Sequence, residues 1–215
     1  LTQKDDAILV MKPVYYPFDA SIQLNGRRVI ECPLILKENH YECDFDIFEK
    51  QIIDHDVKMF ILCNPHNPIG KVWTKEELYQ IGKICQKHHV YVVSDEIHMD
   101  FIYSGHQHIP FYNVDPAFGD FSIICSAPSK TFNLAALQTS NIIIKNKDMR
   151  EKFQDEKNAS GMSDPNIFGL EACEAAYTFG AKWVDELLVY LADNIQYMKD
   201  FFKERLPQLK VISPE

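Results

Sequence analysis

At 215 residues and 46% hydrophobic, the chain is long enough to bury a sizeable core, and its composition is that of an ordinary globular protein. A formal charge of -9 without a clustered basic stripe argues against nucleic acid or anionic membrane as a partner. The chain shows no signal peptide and no 18-residue apolar run, so neither secretion nor membrane spanning is expected.

In chain order, the start Leu1-Thr-Gln-Lys-Asp-Asp6 reads as the end of a connection entering a strand, predicted over 7–11. Further strands are predicted over 28–32, 57–62, 89–94, 121–125 and 140–145, each a short apolar run. Helical patterns alternate with them. A short helix is predicted over 46–53. Thr74-Lys-Glu-Glu77 has the form of a capping box, and Leu78, Ile81, Ile84 and Cys85 follow at helical spacing, so a helix runs to about His88. Helices over 148–157 and 166–179 come next, with breaks around Gly161 and Pro165 and at Gly180. The last helix, 181–206, carries Trp183, Leu187, Leu188, Leu191, Ile195 and Met198 along one face. After it, 209–213 reads as the start of another strand. The fold class that emerges is α/β, with a mainly parallel sheet covered on both faces. Residues 1–180 are expected to form one large domain. Residues 181–215 lead toward a smaller one, and the whole reads as an excerpt of a longer protein.

The six cysteines, at 32, 43, 63, 85, 125 and 173, lack metal-ligand spacing and read as free thiols, which favours a cytoplasmic location and predicts no metal site. Three other places carry chemistry. Asn64-Pro-His-Asn-Pro-Ile-Gly70 is a turn stiffened by two prolines and able to aim Asn67 at a ligand, although a purely structural turn reads the same way. Asp95 follows an apolar strand, where a carboxylate needs a partner; a cationic ring nitrogen would serve, and so would the N-terminus of a helix. Lys130, past the run 121–125, is either a solvated lysine or a nucleophile able to form a Schiff base. Ligands of open α/β sheets bind beyond the carboxyl ends of the strands. An amide, a carboxylate and an amine at three such ends, 28 and 35 residues apart, therefore point to one bound molecule.

Four segments in this order carry a family likeness: Lys12-Pro-Val-Tyr-Tyr-Pro-Phe18, Asn64-Pro-His-Asn-Pro-Ile-Gly-Lys-Val-Trp-Thr74, Ser94-Asp-Glu-Ile-His-Met-Asp100 and Ala127-Pro-Ser-Lys-Thr-Phe-Asn-Leu-Ala-Ala-Leu-Gln138. With them the chain resembles the fold-type I pyridoxal-phosphate enzymes of the class I/II aminotransferase family, and within it the cystathionine β-lyase-like C-S lyases of the PatB/MalY type. The resemblance implies a three-layer αβα large domain that binds pyridoxal 5'-phosphate. It implies that Lys130 carries the cofactor and moves protons at the substrate Cα, that Asp95 pairs with the ring nitrogen, and that Asn67 donates to the ring O3′. Tyr15 would stack on the ring face and Ser129 would contact the phosphate. Relatives commonly have a serine at the position of Ala127 and an arginine at that of Gln138, so this segment's hold on phosphate is weakened, with Ser126 a substitute. His98 stands where aminotransferases place a tyrosine, which favours the lyase branch; its alternative is simple helix packing. His66, His106 and His108 are expected to be structural or at the surface. The resemblance implies β-elimination from a sulfur-containing amino acid such as cystathionine, with transamination as the alternative and a non-catalytic regulatory module as the third reading. A homodimer is expected.

Overall fold

The computed structural model describes residues 1–162 and 164–215. Six strands form one sheet: β1 (Ala7–Lys12), β2 (Arg28–Pro33), β5 (Val57–Cys63), β6 (Tyr91–Asp95), β7 (Ser122–Ser126) and β8 (Asn141–Ile143), in the order β2-β1-β5-β6-β7-β8. The first five run parallel, and β8 closes the edge antiparallel to β7. Between β2 and β5 a two-stranded hairpin, β3 (Ile35–Lys37) with β4 (His40–Glu42), stands apart from the main sheet.

The central strands are apolar on both faces because helices cover both. Side chains alternate along a strand. Ala7, Leu9 and Met11 of β1 therefore join Phe60 and Leu62 of β5 in one core, while Ile8 and Val10 join a second with Met59, Ile61 and Cys63. Onto the first face pack α2 (Phe45–His55) through Phe48 and Ile52, α3 (Lys75–Lys87) through Leu78, Ile81 and Cys85, and the short α4 (Phe111–Val114). The second face is covered by α1 (Pro17–Leu24) through Ile22. At its β7–β8 end Met149 of α6 (Lys147–Ala159) packs with Ile123 and Ile144. The result is the three-layer αβα arrangement expected.

Side-chain caps set the helix boundaries. Thr74 and Glu77 form the reciprocal capping box, Glu77 N–H donating to Thr74 Oγ1 at 3.2 Å and Thr74 N–H to Glu77 Oε2 at 2.9 Å. Asp44 accepts from the N–H groups of Asp46 and Ile47, so α2 begins at Phe45, one residue before the predicted start. Asn146 caps α6 in the same way, and Asn166 caps α7 (Ile167–Phe179). Ile81 is fully buried and Ile53 is 57% exposed. Ile81→Val is expected to lower the unfolding free energy by about 0.5–1.5 kcal/mol, whereas Ile53→Val stays within about 0.5 kcal/mol, as urea denaturation at constant slope would register.

The predicted strand over 209–213 is not formed. Residues 210–215 have no regular secondary structure, because their backbone meets loops and not a strand edge. Glu215 N–H donates to Gly70 C=O at 2.8 Å, and Tyr103 N–H donates to Glu215 C=O at 3.0 Å. The final helix, α8 (Ala181–Arg205), keeps its predicted length, but none of its side chains is fully buried, and Trp183 and Met198 of the predicted apolar face are 46% and 37% exposed.

Candidate functional site

Three neighbouring parallel strands end together. Cys63 of β5 stands opposite Asp95 of β6, and Asp95 opposite Cys125 of β7. The backbone continues the ladder past the strand ends: Asn64 N–H donates to Asp95 C=O at 2.9 Å, and Glu96 N–H to Cys125 C=O at 2.7 Å. Everything leaving these strands therefore starts from one rim, where parallel sheets bind ligands.

The turn leaving β5 is held from inside. The buried Cys63 thiol donates to Pro65 C=O and accepts from Asn67 N–H, both at 3.3 Å, which fixes the backbone that aims Asn67. Burial pushes this thiol up to about 12, so it stays protonated and able to donate. His66 is 2% exposed; its Nε2 lies 2.9 Å from Pro13 C=O and its ring stands edge-on to Trp73. Burial draws His66 down to about 4, so it is neutral and donates through Nε2. This bond ties the β5 turn to the segment leaving β1, which presents Tyr15 at 40% exposure against Phe18 and Tyr16. His66 is thus structural, as expected.

Asp95, half-buried, accepts from Ile97 N–H through Oδ1 at 3.1 Å. It caps a turn, and no helix follows it. Desolvation is the largest influence on its carboxyl and raises it above the ordinary aspartate value, while the charge of Lys130 pulls it back. Among the described residues Asp95 has no ion-pair partner within 4.0 Å, and the side chains of Asn67 and Lys130 have no hydrogen bond. A partly desolvated carboxylate lacking a cation, on the same rim as a lysine and an amide that are both unengaged, suits a ligand with a cationic ring nitrogen and polar substituents.

Lys130 sits on α5 (Pro128–Thr131) directly after β7; it is exposed, with Ser129 half-buried and Ser126 and Ala127 buried. His98, half-buried, lies below its ordinary value because of burial first and the Lys130 charge second. The charge of Lys130 thus reaches both Asp95 and His98. Beside them opens a cavity of about 360 Å³ lined by Asn67, His98, Phe101, Tyr103, Leu191 and Pro214. Tyr15, Asp95, Ser129 and Lys130 lie outside that lining. Gln138 is exposed in the left-handed conformation past the 3₁₀ turn Ala135–Leu137.

Two features of the site escaped sequence reasoning. Glu96, 1% exposed, accepts from Ser94 Oγ at 2.8 Å and Phe111 N–H at 2.9 Å, and pairs with His108 Nε2 at 3.0 Å. Alternation along Ser94-Asp95-Glu96 was the available signal, since it puts 94 and 96 on the face opposite 95. The second is the bond from Thr131 Oγ1 to Asp100 Oδ2 at 2.7 Å, for which the sequence carries no signal.

Fold and rim together define an α/β domain with a ligand-binding edge at its strand ends. The chain belongs to the aminotransferase class I and II family, whose model matches residues 1–215. It is 42% identical over its whole length to cystathionine beta-lyase PatB of Bacillus subtilis, covering 55% of that protein. Among solved structures, it is similar to a PLP-bound protein of Clostridium difficile 630 described as an aminotransferase, with TM-score 0.96 and 42% identity over 100% of this chain and 55% of that one. It is also similar to cystalysin of Treponema denticola, which contains pyridoxal 5'-phosphate, with TM-score 0.94 and 40% identity over 96% of this chain and 52% of that one. The chain spans about half the length of the relatives it matches.

Proposed function

We propose that the chain is the cofactor-bearing part of a pyridoxal 5'-phosphate-dependent carbon-sulfur β-lyase that converts cystathionine or a related cysteine S-conjugate to a thiol, pyruvate and ammonia. The observation that carries this reading is the desolvated, unpaired Asp95 carboxylate on the same rim as Asn67 and Lys130. The cystathionine beta-lyase name of the Bacillus subtilis relative supports the reaction class.

When bound, the cofactor supplies an electron sink for the negative charge left at the substrate Cα. The rest falls to the protein. Lys130 is the amine that would hold the cofactor and, when free, would take the Cα proton. Asp95 would pair with the ring nitrogen, whose positive charge would favour the ionised form of its raised carboxyl. Asn67, its backbone fixed by Cys63, would donate to the ring O3′. Tyr15 would stack on the ring, a contact worth roughly 0.5–1.5 kcal/mol beyond area burial. Ser129, with Ser126, would contact the phosphate, a set weakened by Ala127 and Gln138. His98 lines the cavity beside Asn67, where the substrate would sit.

Residues 1–180 then correspond to the large domain, and α8 leads toward a smaller one that would cover its exposed apolar face. A homodimer accounts for the other exposed large side chains, such as Phe168 and Phe179 at 75% and 81%. The six free thiols fit a reducing cytoplasm.

The same residues serve an aminotransferase, the description given to the Clostridium difficile relative. The full-length protein loaded with cofactor and given cystathionine decides between them. Thiol and pyruvate release without a 2-oxo acid is the expected result. Turnover that strictly requires the oxo acid would sink the lyase.

A further inference from the structure

We propose that Asp100 and Thr131 form a positioning pair that sets the backbone of Lys130. The pair rests on the reading of Lys130 as the cofactor-holding amine, and goes beyond it to say what orients that amine. Thr131 is the residue after Lys130, the last of α5, and is fully buried. Its hydroxyl donates to Asp100 Oδ2 at 2.7 Å, across 31 positions of chain, from the β7 exit to the loop that leaves β6.

A four-residue helix has little rigidity of its own. Phe132 N–H to Pro128 C=O, at 2.9 Å, and Leu134 N–H to Ser129 C=O, at 3.0 Å, close the turn from within. Lys130 itself, exposed and without a hydrogen bond among the described residues, does nothing to hold its own place. External ties on the two residues that follow it do that work. Thr131 is tied to Asp100. Phe132 is wedged edge-on against Tyr177 at 5.6 Å and lies 6.0 Å from Trp183, over Gly180, where any Cβ would come within 2.3 Å of the Phe132 ring.

Tyr177 is pushed up to about 12 by burial first and by the Asp100 charge second, so α7 lies within electrostatic reach of this carboxylate. Asp100 joins two pieces, the β6 exit with His98 and the Lys130 turn. The Thr131 hydroxyl carries that fastening to the residue next to Lys130.

The test uses the cofactor-loaded full-length protein with Thr131→Val, which keeps the shape and removes the donor, and Thr131→Ser, which restores it. Thr131→Val is expected to lower kcat about tenfold with KM within about twofold, since misplacing a reacting group acts on the chemical step. It should also weaken the visible circular dichroism of the bound cofactor, which reports how the cofactor is oriented. Thr131→Ser should return both to within about twofold of wild type. Should Thr131→Val fail to fold, Asp100→Ala at its half-buried position takes its place, with the same losses expected. Wild-type kcat and dichroism in the folded variant, or no rescue by serine, overturns the positioning role. Absence of any visible cofactor band in the wild-type protein would overturn the Lys130 reading itself, a distinguishable result.

Discussion

Lys130→Ala is expected to abolish the visible absorbance of bound pyridoxal phosphate and to lower turnover by roughly 10³-fold or more, at least about 4 kcal/mol of barrier. The size follows from the two tasks proposed for this one amine: holding the cofactor and moving the Cα proton. Lys130→Arg separates charge from nucleophilicity, because a guanidinium keeps the charge and cannot lose its proton. It should fail as alanine does. The two differ at His98, which burial and the Lys130 charge together hold below its ordinary value. Alanine removes that charge and lets His98 titrate higher in the cofactor-free protein; arginine does not, and nuclear magnetic resonance of the His98 ring distinguishes them. Turnover by Lys130→Ala within tenfold of wild type would remove Lys130 from the chemistry.

The strands β1, β5 and β7 were legible because both of their faces are covered, which writes a continuous apolar run into the chain. The edge was harder. β8 was expected over 140–145 and occupies Asn141–Ile143, since its pairing with β7 reaches only from Ser126 to Ile124. α1 was missed although Pro17 at its first position, Asp19 in the first turn and Ile22 four residues after Phe18 were signals for it. The β3–β4 hairpin was missed too, because Glu38-Asn39 turns it without a glycine, with Glu38 at φ 52°. The placement of Asn67, Asp95 and Lys130 on one rim was legible because each follows or ends a recognisable strand. What fastens them was not. The Cys63 bond to Asn67 runs inside one turn, and Thr131 to Asp100 and Glu96 to His108 join loops whose closeness only the tertiary structure establishes.

Asp95→Asn is expected to trade activity for stability. In the cofactor-loaded protein the amide cannot keep the ring nitrogen protonated, so kcat should fall about 10²- to 10³-fold, roughly 3–4 kcal/mol, with weaker cofactor binding. In the cofactor-free protein the sign reverses. Folding raises the Asp95 carboxyl, chiefly through desolvation, so the folded state binds its proton more readily than the unfolded chain does. The contribution of this group to stability is therefore fully present below the ordinary aspartate range and is lost as pH rises through the raised folded value. An asparagine carries no such loss. The variant should accordingly unfold at higher denaturant than wild type at neutral pH, with the difference shrinking as pH falls through the carboxylate range. Lys130 limits the gain, since its charge offsets part of the desolvation, and the introduced amide can still accept from Ile97 N–H through its oxygen. A cofactor-free Asp95→Asn protein less stable than wild type at neutral pH, or one with undiminished turnover when loaded, would show that this carboxylate is not held in waiting for a cation.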